Sequence, residues 1–223
     1  MRIVLLTGET SVLGAEVIQC LIQRADCRLL VVFLRYRGPR GLSLRGLRAN
    51  LRHSGPDFLA GKVVDLASLH LRALGHRLGL TRRPHFACEH AIWRGIPYVH
   101  TNDANGPETL ELVRRFNPDV LVTAGFGQIL KAPLLTLARR AALNLHPSLL
   151  PRHPGANPLR DVLAAGDRET GATIHRLTLA IDAGEILGQR AFAIPPGIGQ
   201  RTLGHLAART GADELSRLIG TLP

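Results

Sequence analysis

The chain has few of the residues and segments that would indicate a secreted or membrane protein. Its three cysteines, Cys20, Cys27 and Cys88, show no C-x-x-C spacing, so the sequence predicts buried free thiols rather than disulfides or a structural zinc site. The longest apolar run, residues 29–34, is far shorter than the roughly 20 residues of a membrane-spanning helix. Residues 1–7 form a predicted strand before a polar turn, unlike a secretory signal. We therefore expect a cytoplasmic protein without a membrane partner.

Lysine is also scarce, because Lys62 and Lys131 are the only two in a chain whose formal net charge is +11. The excess of positive charge comes from arginine. Much of it falls in residues 35–52, a segment without acidic side chains. This Arg-rich segment contains Arg35, Arg37, Arg40, Arg45, Arg48 and Arg52. One interpretation is an anion-binding surface for a diphosphate, an acidic carrier or a nucleic acid. The other is an ordinary solvated surface.

What the chain does contain is an alternation of strand-like and helix-like segments. Continuous apolar runs predict strands at residues 2–7, 28–34, 119–124, 141–146, 172–179 and 185–194. Helical periodicity predicts helices at residues 11–24, 107–116, 132–140, 158–165 and 202–222. This order predicts an α/β fold with a Rossmann-like, mostly parallel sheet flanked by helices. We expect one domain over residues 1–223, with an α/β core at 1–195 and a C-terminal helical extension at 196–223.

The first turn resembles a dinucleotide-binding loop only in part. Gly8 and Gly14 follow a strand and open a helix, but no glycine stands between them, where close approach to a pyrophosphate requires one. A Tyr followed four residues later by Lys, as in short-chain dehydrogenases, is absent too. The glycines therefore indicate a tight turn and close helix packing rather than an NAD(P) site.

Two polar side chains stand out at the end of the predicted strand 141–146. The apolar-polar alternation places Asn144 and His146 on one side of this strand, and Pro147 ends it at the edge where open α/β sheets bind ligands. Imidazole is a general acid or base near neutral pH, and an amide N–H stabilises an oxyanion. Asp182, in the loop between the last two strands, is a carboxylate that would orient the histidine. The alternative is a purely structural role, in which these residues cap a turn.

Several motifs in order carry a family resemblance. They are Asn144-Leu-His-Pro-Ser-Leu-Leu-Pro151, then Gly155, then residues 167–175, then Ile181-Asp-Ala-Gly184, with Pro118-Asp-Val-Leu-Val-Thr-Ala-Gly-Phe-Gly-Gln-Ile-Leu130 upstream. Together they closely resemble the folate-dependent formyltransferase family. That family includes glycinamide ribonucleotide transformylases, methionyl-tRNA formyltransferases and sugar N-formyltransferases. The matching segments span roughly residues 96–194.

The resemblance implies transfer of a formyl group from 10-formyltetrahydrofolate to an amine through a tetrahedral intermediate, without a metal. It implies that Asn144 and His146 face the formyl carbon and that Asp182 assists the proton transfers. It implies a pterin site at Phe126, Gly127, Gln128, Ile129, Leu130 and Ile181, and an acceptor site at Gly8, Thr10, Ser11 and His175. For His175 a strand-surface position remains the alternative. Ser148 is expected to shape its loop, and the Leu150-Pro151 peptide bond is expected to be cis.

Two departures from the family pattern narrow the choice of amine that accepts the formyl group. Glu9 in the first turn would repel a ribonucleotide phosphate, and after residue 194 about one helix remains, where methionyl-tRNA formyltransferases carry a further domain. We therefore expect a small or carrier-bound amine, such as an amino sugar nucleotide, with tRNA possible but not favoured. His153-Pro154 replaces the family's aromatic-Arg pair, which leaves the contacts of that loop open. A non-catalytic folate-binding or interaction protein on the same fold is the competing class.

Overall fold

The computed structural model describes residues 1–35 and 84–222, together with residues 64, 67, 68, 71 and 75. The strands in these ranges are β1 Arg2–Gly8, β2 Arg28–Leu34, β3 Tyr98–Thr101, β4 Val120–Ala124, β5 Ala141–His146, β6 Glu169–Arg176 and β7 Ile186–Ala193. The helices are α1 Val12–Leu21, α2 Ala87–Trp93, α3 Pro107–Phe116, α4 Ala132–Leu135, α5 Pro158–Ala164 and α6 Gln200–Ile219. The Arg-rich segment, apart from Arg35, lies outside the described residues.

The strands form one sheet in the order β3-β2-β1-β4-β5-β6-β7. The first five strands in this order are parallel to one another, whereas β6 pairs antiparallel with β5 and β7 antiparallel with β6. The predicted α/β fold with a mostly parallel sheet is thus confirmed. The register places Thr123 beside Asn144 and Asn144 beside His175, so three polar side chains meet across β4, β5 and β6.

Alternate residues of the central strands pack against two different helical layers. On one face Leu5, Phe33 and Leu143 join residues of α1, α2 and α6 in a buried cluster. On the other face Leu6 and Leu121 join a second cluster with residues of α3 and α4. Because both faces are covered, the central strands read as continuous apolar runs in the sequence.

The first turn is held tightly against the sheet, as the two glycines predict. A Cβ at Gly14 would lie 2.1 Å from Thr7 Oγ1, and the Thr7 hydroxyl itself donates to the Ala124 carbonyl at 2.6 Å. Ser11 caps α1, since its Oγ accepts from the Gly14 N–H at 3.0 Å. Gly14 therefore serves close packing of α1 on β1.

Some elements differ from the sequence prediction. The helix predicted at 132–140 ends at Leu135, because the N–H groups of Arg139 and Arg140 donate to the Pro118 and Asp119 carbonyls and draw the chain toward the sheet. Helix α2 and strand β3 were not predicted. In α2 the polar Glu89 and His90 are buried, which hides the helical pattern of apolar residues.

The C-terminal helix α6 packs onto the sheet, where Ala212, Leu215 and Ile219 belong to the same buried cluster as Leu143. The division of the chain at residue 195 stays a prediction. The three cysteines are free, with Cys88 buried and Cys20 and Cys27 only partly so, which corrects the expectation that all three are buried. Among the described residues, no helix is both long and apolar enough to cross a membrane.

Candidate active site

The carboxyl-terminal half of β5 carries the two polar side chains singled out in the sequence. Leu143 and Leu145 are buried in the cluster of α1, α2 and α6, so Asn144 and His146 project from the opposite face of the strand. His146 is 4% exposed and ends the strand, and Asn144 is partly buried. The alternation along β5 therefore brings both groups to one side of the sheet, as predicted.

The carboxamide of Asn144 is held from both ends. Thr123 Oγ1 donates to Asn144 Oδ1 at 2.7 Å, while Asn144 Nδ2 lies 3.0 Å from His175 Nε2 and 3.4 Å from Asp182 Oδ1. His175 Nδ1 lies 3.0 Å from the Arg176 carbonyl, which only accepts, so Nδ1 carries the proton and Nε2 accepts from Asn144. These contacts fix which end of the amide is the donor. The N–H pointing at Asp182 is the more weakly engaged of the two.

His146 lies between a carbonyl and a carboxylate. Its Nε2 is 2.9 Å from the His153 carbonyl oxygen, so Nε2 carries the N–H, and its Nδ1 is 3.5 Å from Asp182 Oδ2. Burial lowers the pKa of the His146 imidazole below its usual value, against the His153 carbonyl and the Asp182 charge, which raise it. A neutral ring therefore presents its basic Nδ1 to the same carboxylate that faces Asn144.

Asp182 reaches the site from a tight turn between β6 and β7. Its φ is +50°, a left-handed conformation that Asp tolerates better than most residues. Its Oδ2 accepts from the Gly155 N–H at 2.7 Å. Burial by itself raises the pKa of the Asp182 carboxyl, but the contact with His175, the Gly155 N–H and nearby His146 hold the pKa below its usual value. The carboxylate is thus ionised at neutral pH.

His175 is only 2% exposed and lies 3.5 Å from Asp182 Oδ1. Of the two positions considered in the sequence, the structure places it within the polar cluster and not on an open strand surface. His175 contacts Asn144 and Asp182 directly. Its partners indicate that it orients Asn144.

The loop after β4 contains the predicted pterin site. Gln128 anchors it, since Oε1 accepts from the Ala104 N–H and Nε2 donates to the Asn102 carbonyl, both at 2.8 Å. Leu130 is buried, Phe126 is partly buried, and Ile129 is 60% exposed. Gly127, also in the loop, is exposed, and Ile181 on the Asp182 turn is 63% exposed. Exposed apolar side chains thus stand on both loops.

The first turn contains the predicted acceptor residues. Gly8 N–H donates to the Gly125 carbonyl at 3.2 Å, which joins this turn to the loop after β4. The Ser11 hydroxyl donates to the Ala124 carbonyl at 3.3 Å and also caps α1. Both of its hydrogen bonds are therefore made within the protein. Thr10 lies in the same turn and is partly buried. Glu9 Oε1 is 2.7 Å from His100 Nδ1, so the carboxylate expected to repel phosphate has a partner.

Three groups of the site were missed in the sequence. Thr123 interrupts an apolar strand and would have been found if the β4–β5 register were known. The His153 carbonyl and the Gly155 N–H are main-chain groups without a side-chain signature. Their loop includes the expected cis Leu150-Pro151 bond, and the Ser148 hydroxyl lies 2.9 Å from the Arg152 carbonyl and 3.1 Å from the His153 carbonyl. In the described part of the chain, no group of His, Cys, Asp and Glu is arranged to hold a metal ion.

A separate cleft of about 530 Å³ is lined by Met1, Asp26, Asp119, Arg139 and Arg140. Met1 and Asp119 directly precede β1 and β4, so this cleft lies at the amino-terminal edge of the sheet. Open α/β sheets bind ligands at the opposite, carboxyl-terminal edge, where Asn144 and His146 lie. The polar cluster at the end of β5 is therefore the candidate active site.

Curated proteins are similar to this chain in sequence. The chain is 39% identical to the methionyl-tRNA formyltransferase of Methylococcus capsulatus over 129 residues, which are 58% of this chain and 42% of the relative. It is 41% identical to that of Thermotoga neapolitana over 103 residues, 46% of this chain and 33% of the relative. The matches thus cover less than half the length of these relatives.

Solved structures share the fold. Glycinamide ribonucleotide transformylase 1 from Symbiobacterium toebii superposes with a TM-score of 0.66 at 21% identity, covering 98% of this chain and 85% of its own. The Geobacillus kaustophilus protein of the same name has a TM-score of 0.65 at 18% identity, covering 100% and 98%. The model of the family described as formyl transferase matches residues 1–222. With almost the whole chain matched, this protein belongs to the formyl transferase family.

Proposed function

We propose that the protein transfers a formyl group from 10-formyltetrahydrofolate to a primary amine of a small or carrier-bound acceptor. The observation that carries the proposal is the convergence of Asn144, His146 and Asp182, with 3.4 Å and 3.5 Å separating the carboxylate from the other two groups. Asn144 and His146 lie on β5, whereas Asp182 lies 36 residues after His146, in the turn between β6 and β7. Acyl transfer to an amine needs such a set of groups.

The chemistry follows from the protonation states. The amine lone pair attacks the formyl carbon and forms the new C–N bond, and the carbonyl oxygen becomes an oxyanion. The Asn144 N–H now held by Asp182 at 3.4 Å donates to that oxyanion, because the other N–H is engaged more tightly by His175. His146 Nδ1, with Asp182 beside it, takes the proton that the amine loses. Return of this proton to N10 accompanies cleavage of the C–N10 bond, which releases tetrahydrofolate.

The residues after β4 fit a pterin. Within the described residues, the N–H groups of residues 126–130 donate to no protein acceptor, so main-chain donors remain for a flat, polar ring. Leu130 provides an apolar floor, and Ile129 and Ile181 provide apolar edges. Gln128 holds the loop from behind through residues 102–104. These features support the residues assigned to the formyl donor in the sequence.

Methionyl-tRNA is a second candidate acceptor. Sequence identity of 39–41% to methionyl-tRNA formyltransferases favours this acceptor. The structural neighbours are named for a different acceptor, glycinamide ribonucleotide. The partner that Glu9 finds in His100 weakens the argument from charge against a phosphate-bearing acceptor. The amino-sugar and tRNA alternatives therefore have to be separated by experiment.

The test is release of tetrahydrofolate, followed by its absorbance, from 10-formyltetrahydrofolate and a panel of acceptors. The panel contains a nucleotide-linked amino sugar, glycinamide ribonucleotide, methionyl-tRNA and no acceptor. We expect release with one class only, and formyl product by mass spectrometry. Asp182→Asn is the matched control, because it keeps the shape of the side chain and removes its charge. A folate-induced thermal shift without release would favour a non-catalytic folate-binding protein, and neither release nor a thermal shift would favour an interaction protein on the same fold.

A further inference from the structure

His153 contacts both His146 and a second carboxylate, that of Asp167. Its main-chain carbonyl accepts from His146 Nε2 at 2.9 Å, and its own ring Nε2 lies 2.8 Å from Asp167 Oδ2. Asp167, in the turn between α5 and β6, also pairs with the Arg152 guanidinium. The His153 and Asp167 side chains are 17% and 13% exposed, whereas that of Arg152 is 54% exposed. The better buried contact to Asp167 is therefore the one made by His153.

The backbone of His153 is in a conformation that needs support. Its φ is +53°, in the left-handed region, and the next residue is Pro154. A residue before proline prefers an extended backbone, and a non-glycine residue at positive φ carries a further energetic cost. Such a conformation persists only where surrounding contacts fix it. The Asp167 contact fixes the side chain, while the Ser148 hydroxyl, 3.1 Å from the His153 carbonyl, supports the main chain.

The orientation of this carbonyl decides which nitrogen of His146 is basic. A carbonyl oxygen only accepts, so its contact with Nε2 places the N–H there and leaves the Nδ1 lone pair toward Asp182. If the carbonyl turned away, nothing else on the Nε2 side that the structure describes would select this tautomer. The Nε2–H tautomer therefore depends on the loop conformation at residue 153.

We propose that His153 and Asp167 are positioning residues whose side-chain contact orients the His153 carbonyl and thereby fixes the tautomer of His146. The same contact sets the proton affinity of Nδ1, because the carbonyl stabilises the doubly protonated ring. This inference deepens the proposed function, on which it rests for treating His146 as the base. Its test does not require turnover, so the two can fail separately.

The experiment is an NMR titration of the full chain labelled with ¹⁵N-histidine, without folate or acceptor. The ¹⁵N chemical shifts distinguish an N–H from a lone pair at each ring position, and the signals missing in His146→Gln identify His146. In the wild type we expect a single Nε2–H tautomer. In His153→Phe, which keeps an aromatic ring but loses the contact to Asp167, we expect a tautomer mixture. The midpoint of the His146 titration should also fall by about one pH unit, the loss expected for a hydrogen bond to a charged ring.

Three further variants make the result decisive. His153→Gln restores a side-chain donor toward Asp167 and should restore the wild-type tautomer and midpoint. Asp167→Ala should behave like His153→Phe, and it decides the question if circular dichroism shows that His153→Phe is unfolded. Arg152→Ala is the matched control, since it removes the exposed partner of the same carboxylate and should leave His146 unchanged. An unchanged His146 tautomer and midpoint in His153→Phe, or in Asp167→Ala where the former is unfolded, would overturn the proposal.

Discussion

Asn144 and His175 face each other across the β5–β6 pair, with Asn144 Nδ2 3.0 Å from His175 Nε2. The antiparallel register makes them direct neighbours, and the Arg176 carbonyl at His175 Nδ1 makes Nε2 the acceptor. The imidazole therefore determines the plane of the amide that is proposed to hold the oxyanion. The antiparallel strand β6 therefore supplies His175, a part of the site that the parallel strands do not provide.

The first prediction concerns His175. Replacement by Ala removes the acceptor of the tighter Asn144 N–H, so the amide is free to turn away from the formyl oxygen. Because small misplacements of catalytic groups are costly, we expect kcat to fall by about 100-fold while the KM for 10-formyltetrahydrofolate changes little. His175→Gln, whose Oε1 also accepts, should recover part of the loss. A rise in KM with kcat unchanged would contradict the positioning role.

The second prediction concerns Thr123, whose hydroxyl donates to Asn144 Oδ1 at 2.7 Å. Thr123→Val keeps the shape of the side chain but leaves this partly buried oxygen without its donor. We expect kcat to fall about tenfold, equivalent to roughly 1.4 kcal/mol of transition-state stabilisation. Thr123→Ser keeps the hydroxyl and should stay close to the wild type. Equal rates for the Val and Ser variants would remove Thr123 from the site.

The sequence predicted those parts of the fold and site that depend on local patterns. Alternation along residues 141–146 placed Asn144 and His146 on one side, and the apolar runs indicated the parallel core. Thr123 required the strand register, a nonlocal property. The His153 carbonyl depends on a loop conformation, and main-chain groups are the same in every residue. Helix α2 was missed because its buried Glu89 and His90 contradict the usual apolar pattern.

The third prediction concerns Asp182. In Asp182→Asn the side chain keeps its shape, and Asn also tolerates positive φ, so the turn should fold. The carboxylate that faces His146 Nδ1 is lost, and we expect kcat to fall by roughly 10²- to 10⁴-fold. The far-ultraviolet circular dichroism and the folate-induced thermal shift should remain. Loss of folate binding in this variant would mean that Asp182 acts in binding rather than in proton transfer.

Asp182 also links stability to pH. Its folded-state pKa lies below the value for an unfolded chain, about 3.9, so the unfolded state binds more protons as the pH falls below roughly 5. The stabilisation is complete above that range and is lost as the pH falls through the folded-state pKa. In urea titrations, the free energy of unfolding of the wild type should decrease more steeply with acid than that of Asp182→Asn. Parallel curves would show that the carboxylate contributes nothing.

Another prediction concerns His90, which is 5% exposed and whose Nδ1 has no hydrogen-bond partner among the described residues. Burial lowers its pKa, so below about pH 6.5 the unfolded state takes up a proton that the folded state resists. His90→Leu should therefore gain stability relative to the wild type as the pH is lowered from about 7.5 to about 5. Urea unfolding at several pH values measures the difference. A difference that is independent of pH would contradict the assignment.

The last prediction compares two glycines of α6. A Cβ at Gly211 would lie 2.8 Å from Leu145 Cδ2 and 2.9 Å from the Ala172 Cβ, whereas at Gly204 the nearest atom is Leu159 Cδ1 at 3.4 Å. Ala favours a helix over Gly by about 1 kcal/mol, and overpacking a core costs about 1–3 kcal/mol. We expect Gly204→Ala to be neutral or stabilising and Gly211→Ala to be destabilising in urea unfolding.

Because Leu145 lies between Asn144 and His146 on β5, Gly211→Ala should also lower the rate of tetrahydrofolate release, and Gly204→Ala should not. The clash displaces Leu145, and the strand transmits the shift to the two polar side chains on its other face. The shared helix makes Gly204→Ala a control for any general effect of alanine on α6. Equal stability and equal rates for the two variants would show that α6 yields enough to leave β5 undisturbed.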